Sequence, residues 1–186
     1  MTTIDTVVAA VREDLAETGA DHRAGVHFGL GSRPMKALTI WQPWATLIMA
    51  GVKPYEFRGW PAPVAIRGQR IAIHAGARPV KKAEIADLII RLRSAEAWST
   101  ALKPEALAML ERWHSNPLAL PLASILGTAV LGQPRRAFEI VSEFGARPND
   151  SDRDEHSNWA WPLTAIEPLE PIQPAKGAQG FWDWRP

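Results

Sequence analysis

Apolar and polar positions follow two different periods along this chain. Ile4, Val7, Val8, Val11 and Leu15 fall at the i, i+3, i+4, i+7, i+11 spacing of one helical face, with Asp5, Glu13, Asp14 and Glu17 mostly on the other. Gly19 to Pro34 holds four glycines and a proline and reads as a linker. Two organisations fit: residues 1–34 form an accessory helix on a tether, or the domain begins at Met35 and the upstream segment is dispensable. The pattern then shortens. Lys36 to Ile40 predicts a strand, and Pro43 opens a helix running to about Ala50, closed by Gly51 at C′. Lys53 to Arg58 and Arg70 to His74 predict two further strands, the second with Ile71 and Ile73 alternating. Residues 81–93 form an amphipathic helix through Ile85, Leu88, Ile89 and Leu92, and Pro104 at N1 starts another carrying Leu107, Leu110 and Trp113.

Beyond that point Leu122 to Leu131 predicts a buried strand, Arg135 to Phe144 a short helix or turn, and the polar run Asn149 to Asn158 an exposed loop. Trp159 to Ile166 is a strand. The proline-punctuated segment from Pro168 ends at Gly180, Phe181, Trp182 and Trp184 in an edge strand that closes the sheet. The chain holds 16 prolines in 186 residues, which shortens helices and favours strands joined by turns. The fold class is α+β, one domain built on a small sheet or barrel.

Composition removes several kinds of chemistry. With no cysteine there is no disulfide, thiol nucleophile or Cys-ligated metal. No apolar run reaches the ~18 residues of a membrane span, and Met1 to Ala10 lacks a basic region followed by a long apolar one. A cytoplasmic protein with no membrane partner is therefore expected. The histidines show no HxH or HxxxH spacing and no P-loop or GxGxxG is present, so no metal and no cofactor are expected. Net charge is +1, yet residues 35–93 carry ten Lys/Arg against three Asp/Glu. A basic stretch within a neutral chain points to a phosphate-bearing partner. A solvated helix face around Lys81 to Arg93 would account for about half of the excess.

The densest group of unusual choices is Gln42-Pro43-Trp44, then Gly51 to Arg58, then Arg67-Gly68 and His74. Alternation puts Lys53 and Tyr55 on one face and Glu56 and Arg58 on the other. Pro54 or a bulge would re-aim Lys53 and gather Lys53, Glu56 and Arg58 at one spot. Two cations around one carboxylate keep the acid ionised and leave guanidinium donors for a phosphate or a base edge; a purely structural ion pair is the equal alternative. Among nine tryptophans, Trp44, Trp60, Trp159 and Trp161 are candidate stacking surfaces, against core packing for about half of the set. His74, on an apolar strand, is more often a hydrogen-bonded core histidine than a catalyst.

The segments Leu38 to Ala45, Gly51 to Arg58 and Arg67 to Ala75 resemble an ASCH (activating signal cointegrator homology) domain, through a G-x-K-x-x-E-x-R signature between a QPW helix and an RG-strand. Trp159-Ala160-Trp161 and Gly177 to Trp184 resemble the family's last strands. The resemblance covers about residues 35–184, with extra helices between Arg78 and His114, and gives domain bounds of 1–34 and 35–186. It implies a PUA-like fold, a small mixed or antiparallel β-barrel with flanking helices, similar to domains that bind RNA or modified bases. It also implies a ligand cleft beside the signature strand, faced by Gln42, Trp44, Lys53, Glu56 and Arg58, with Trp60, Arg67 and His74 nearby. Two functions are open, besides a regulatory or interaction role in which the amino-terminal helix docks a partner, supported only by its amphipathicity. One is binding of RNA, DNA or a modified nucleobase, with Arg58 and Lys53 on phosphate or a base edge, Glu56 accepting from an amine and Trp44 stacking. The other is a small hydrolase, since some ASCH-like proteins resemble amidohydrolases acting on acylated cytidines and others resemble ribonucleases. The amidohydrolase pattern has a Thr or Ser nucleophile three residues after the signature lysine. Glu56 stands there, leaving it the role of a general base on water, with Lys53 stabilising an oxyanion.

Overall fold

A computed structural model of the protein describes residues 34–145 and 159–186. The predicted helix at 4–17 and the whole of the polar loop 149–158 lie outside the described residues. The frame is a seven-stranded mixed sheet curled into a half-barrel, and with its helices it is the α+β architecture expected. Its strands are β1 (Met35–Ile40), β2 (Tyr55–Arg58), β3 (Arg70–Ala75), β4 (Ser124–Leu131), β5 (Arg135–Arg136), β6 (Trp159–Pro174) and β7 (Phe181–Trp184). Spatial order is β2-β6-β4-β3-β1-β7, with β5 beside the start of β6. Only β1 and β3 run parallel, pairing Thr39 with His74. The other pairs are antiparallel, and β7 pairs with β1 as an edge strand, setting Asp183 opposite Lys36.

Alternation decides what each face buries. Leu38, Ile40, Ile71, Ile73, Leu131 and Trp161 fill the concave side, while Ala37, Ala72, Ile125 and Trp184 pack on the other. Helix α1 (Trp44–Met49) is buried along nearly its whole length because it sits between two cores. Ile48 and Met49 join the concave core, and Leu47 joins the cluster formed with α2 (Lys82–Leu92) and α3 (Ala106–Ser115). Burying Leu47 and Ile48 contributes about 2 to 3 kcal/mol each. Helix α4 (Ala137–Ile140) is a short turn after β5.

Three boundaries differ from the sequence reading. β2 begins at Tyr55, because the N–H groups of Val52 and Lys53 both donate to the Leu47 carbonyl (3.1 Å each) and are held off the ladder. α3 begins at Ala106, two residues past Pro104, and Lys103 instead donates its N–H to the Val52 carbonyl (2.9 Å). β6 runs on through Pro168, Pro171 and Pro174, where sequence reading ends the strand at Ile166. It survives those prolines through register shifts against β4 and a positive φ of 45° at Ala165, which bend the strand around the barrel. Among the described residues, no helix is long and apolar enough to cross a membrane.

Candidate functional site

Gly51, at φ +72°, lets the chain leave α1 sharply and carry Lys53 to the start of β2. The Lys53 ammonium donates to the Tyr55 carbonyl and lies 3.5 Å from Glu56 Oε2. On the other side, Arg58 Nη2 lies 3.0 Å from Glu56 Oε1 and donates to the Thr39 carbonyl at 3.2 Å. Lys53, Glu56 and Arg58 therefore do converge. Lys53 also sits 5.5 Å from the Trp44 ring centroid and 5.0 Å from that of Phe57. Lys53 and Glu56 are buried, and burial drives the Lys53 pKa below its ordinary value while the Glu56 carboxylate opposes that.

A cleft of about 990 Å³ opens beside this group, between the C-terminal ends of β1 and β3 and the loop joining β6 to β7. Arg58 and His74 line it, with Thr39, Trp41, Lys176 and Gly177. Arg58 is the member of the triad that reaches the cleft; Lys53 and Glu56 stand behind it, which corrects the expectation that all three head groups face one hollow. Their burial between α1, β2 and the Trp44 and Phe57 rings is the cause. Arg58 Nε is buried with no hydrogen-bond partner, a donor left over on the one side chain that joins triad to cleft.

His74 is 1% exposed. Its Nε2 lies 3.0 Å from the Ala175 carbonyl, its ring meets Trp182 edge-on at 5.5 Å, and its Nδ1 has no partner. Burial holds its pKa below the ordinary histidine value, so the ring is neutral near pH 7. Gly177 rests directly on this ring; a Cβ there would collide with His74 and stand 2.8 Å from Thr39 Oγ1. Lys176 is exposed and has no ion pair or hydrogen bond among the described residues.

The remaining candidates go elsewhere. Gln42 is 1% exposed and spends its amide on Thr46 Oγ1 and the Pro121 carbonyl (both 2.8 Å), so it anchors α1 rather than facing the cleft. Trp44 is half-buried between the two cores, and Trp161 is fully buried, stacked on Phe181 at 5.7 Å. Trp159 packs against the concave core with Arg136 4.5 Å from its ring. Trp60 is 56% exposed but does not line the cleft. Arg67 donates to the Ala62 carbonyl (2.9 Å), bracing the turn before β3. Arg78, Arg91 and Arg93 pair with Glu84, Asp87 and Glu111, so much of the basic surplus around α2 is neutralised locally. Sequence reasoning missed Trp41, Lys176 and Gly177. The Gly177 to Gly180 spacing ahead of an aromatic strand was the available signal for the last two.

The family model described as ASCH domain matches residues 38–171 of this chain. A crystal structure of ASCH from Zymomonas mobilis is 18% identical and aligns over 72% of this chain and 68% of that one, with a TM-score of 0.37. A serine-to-alanine mutant of the Zymomonas mobilis protein aligns over 74% and 72%, also at 18% identity, with a TM-score of 0.38. No curated protein matches the chain.

Proposed function

The chain belongs to the ASCH domain family, and on that footing we propose that it binds nucleic acid of the RNA type, or a modified nucleobase, in the cleft beside Arg58. The observation that carries this reading is the state of Arg58. Glu56 and the Thr39 carbonyl fix its guanidinium, yet the side chain lines the cleft and stays 24% exposed. A guanidinium so held is pre-organised to meet a phosphate or a base acceptor, and the ordering entropy is already spent. The exposed Lys176 at the rim of the cleft, without an ion pair among the described residues, supplies the charge a backbone phosphate requires. The ligand groups that answer these side chains are an acceptor for Arg58 and an anion for Lys176.

The hydrolytic alternative asks Glu56 to activate water. Its two oxygens are engaged by Arg58 and Lys53, and neither Glu56 nor Lys53 lines the cleft. Binding is the reading the geometry favours.

Thermal-shift titration with a single-stranded RNA hexamer, its DNA counterpart and a panel of modified nucleosides tests the proposal at low salt. A concentration-dependent rise in Tm with one of these classes is expected, reduced in Arg58→Ala and only partly restored in Arg58→Lys, which keeps the charge but loses the planar fork. No stabilisation by any of them would contradict it.

A further inference from the structure

Trp41 has no role in the binding described above. It is the most exposed tryptophan of the described residues, at 57%, yet it is held in place. Its carbonyl accepts the Ala45 N–H (3.3 Å), fixing its backbone to the start of α1. Its indole lies against Gly76 at the end of β3, where a Cβ would stand 3.0 Å from the indole Cδ1. The Arg78 guanidinium sits 4.4 Å from the ring centroid. Arg78 is itself immobilised: both of its terminal nitrogens donate to Glu84 Oε1 at 2.9 Å, and Glu84 accepts the Lys81 N–H at 2.9 Å at the N-terminus of α2. A chain of four groups thus runs from the helical insertion to a flat aromatic surface on the wall of the cleft.

An indole locked in this way and left open to water is a costly surface unless something covers it. Covering it with a neighbouring apolar side chain would hide it; Arg78 instead leaves more than half of it accessible. A planar guanidinium beside a rigid indole is the combination on which a nucleic-acid base stacks, and every base offers the π-face it needs.

We infer that Trp41, positioned by Arg78 and Glu84, seats a second base next to the one in the cleft, so that the ligand is a single-stranded oligonucleotide rather than a free nucleoside. This rests on the binding reading above and adds the ligand's length to it. Arg78 is a positioning residue here: Glu84 fixes the guanidinium, and the guanidinium fixes the indole plane.

The test compares a nucleoside 5′-monophosphate with a single-stranded hexanucleotide carrying 2-aminopurine at successive positions, using the full chain. The wild-type protein should bind the hexanucleotide at least tenfold more tightly and quench 2-aminopurine at one position most strongly. Trp41→Ala should weaken the hexanucleotide about tenfold and abolish that selective quenching, with a clearly smaller loss for the monophosphate. Trp41→Phe should restore part of both signals, and Glu84→Gln should reduce the quenching by loosening Arg78. Equal losses for the two ligands, or an unchanged hexanucleotide affinity in Trp41→Ala, would overturn the inference and leave cleft binding standing. Failure of the wild-type protein to bind either ligand would overturn the cleft reading and this inference together.

Discussion

At the scale of single residues, Glu56 carries the heaviest burden. It is buried between two cations, and taking it away leaves the Lys53 ammonium enclosed with no carboxylate. Glu56→Gln should therefore destabilise the fold by about 3 to 5 kcal/mol in chemical denaturation, the usual cost of orphaning a buried charge; a change below about 1 kcal/mol would contradict the account. His74 provides the pH test. Its folded pKa lies below 6.5, so the unfolded chain takes up the proton first as pH falls. Stability is complete above pH 6.5 and is lost as pH drops through the folded value. Tm should fall more steeply with acidification in the wild type than in His74→Gln, and identical slopes would contradict the assignment. The pairing of Glu56 with Arg58 was legible because alternation puts both on one face of β2, whereas Lys53 joins them only because its N–H is held off the ladder by the Leu47 carbonyl. Which tryptophan would be exposed was not legible. Trp41 and Trp44 flank the same Gln42-Pro43 pair, and only the placement of α1 between two cores turns one inward and leaves the other out.

Among the elements, β6 tests how the half-barrel is made. Pro168 pairs with Gly127 of β4 where the register shifts, and a Cβ on Gly127 would meet the Met49 side chain, the Glu167 carbonyl and the Pro168 Cα. Two of those three neighbours are backbone, so only the Met49 side chain can yield. Gly127→Ala should cost about 1 to 3 kcal/mol or more by denaturant titration; a variant as stable as the wild type would show that β4 and β6 have slack here. Helix α2 was readable from its one apolar face, β1, β3 and β4 from short apolar runs, and α1 from Pro43 and Gly51 at its ends. The continuity of β6 was not. Four prolines normally end a strand, and here bends and register shifts absorb them, a tertiary arrangement that local propensity does not encode.

For the molecule as a whole, the described sheet and cores account for the family match over residues 38–171, which begins after the predicted accessory helix. Deleting residues 1–34 should accordingly move Tm by no more than about 3 °C, equivalent to about 1 kcal/mol; a larger drop would mean that this segment packs on the barrel. The basic surplus of residues 35–93 is mostly spent on internal pairs, leaving a small number of cations to face a ligand. Affinity should then depend on salt, but gently, with a log–log slope of about −0.7 for each phosphate neutralised. The most direct test of cleft binding is the anisotropy of a labelled single-stranded RNA hexamer, titrated with wild type, Arg58→Ala and Arg58→Lys at several salt concentrations. Wild type should bind with a shallow negative salt slope, Arg58→Ala at least tenfold more weakly, and Arg58→Lys in between. Equal affinities for all three folded proteins would place the ligand elsewhere on the molecule and refute the assignment of this cleft.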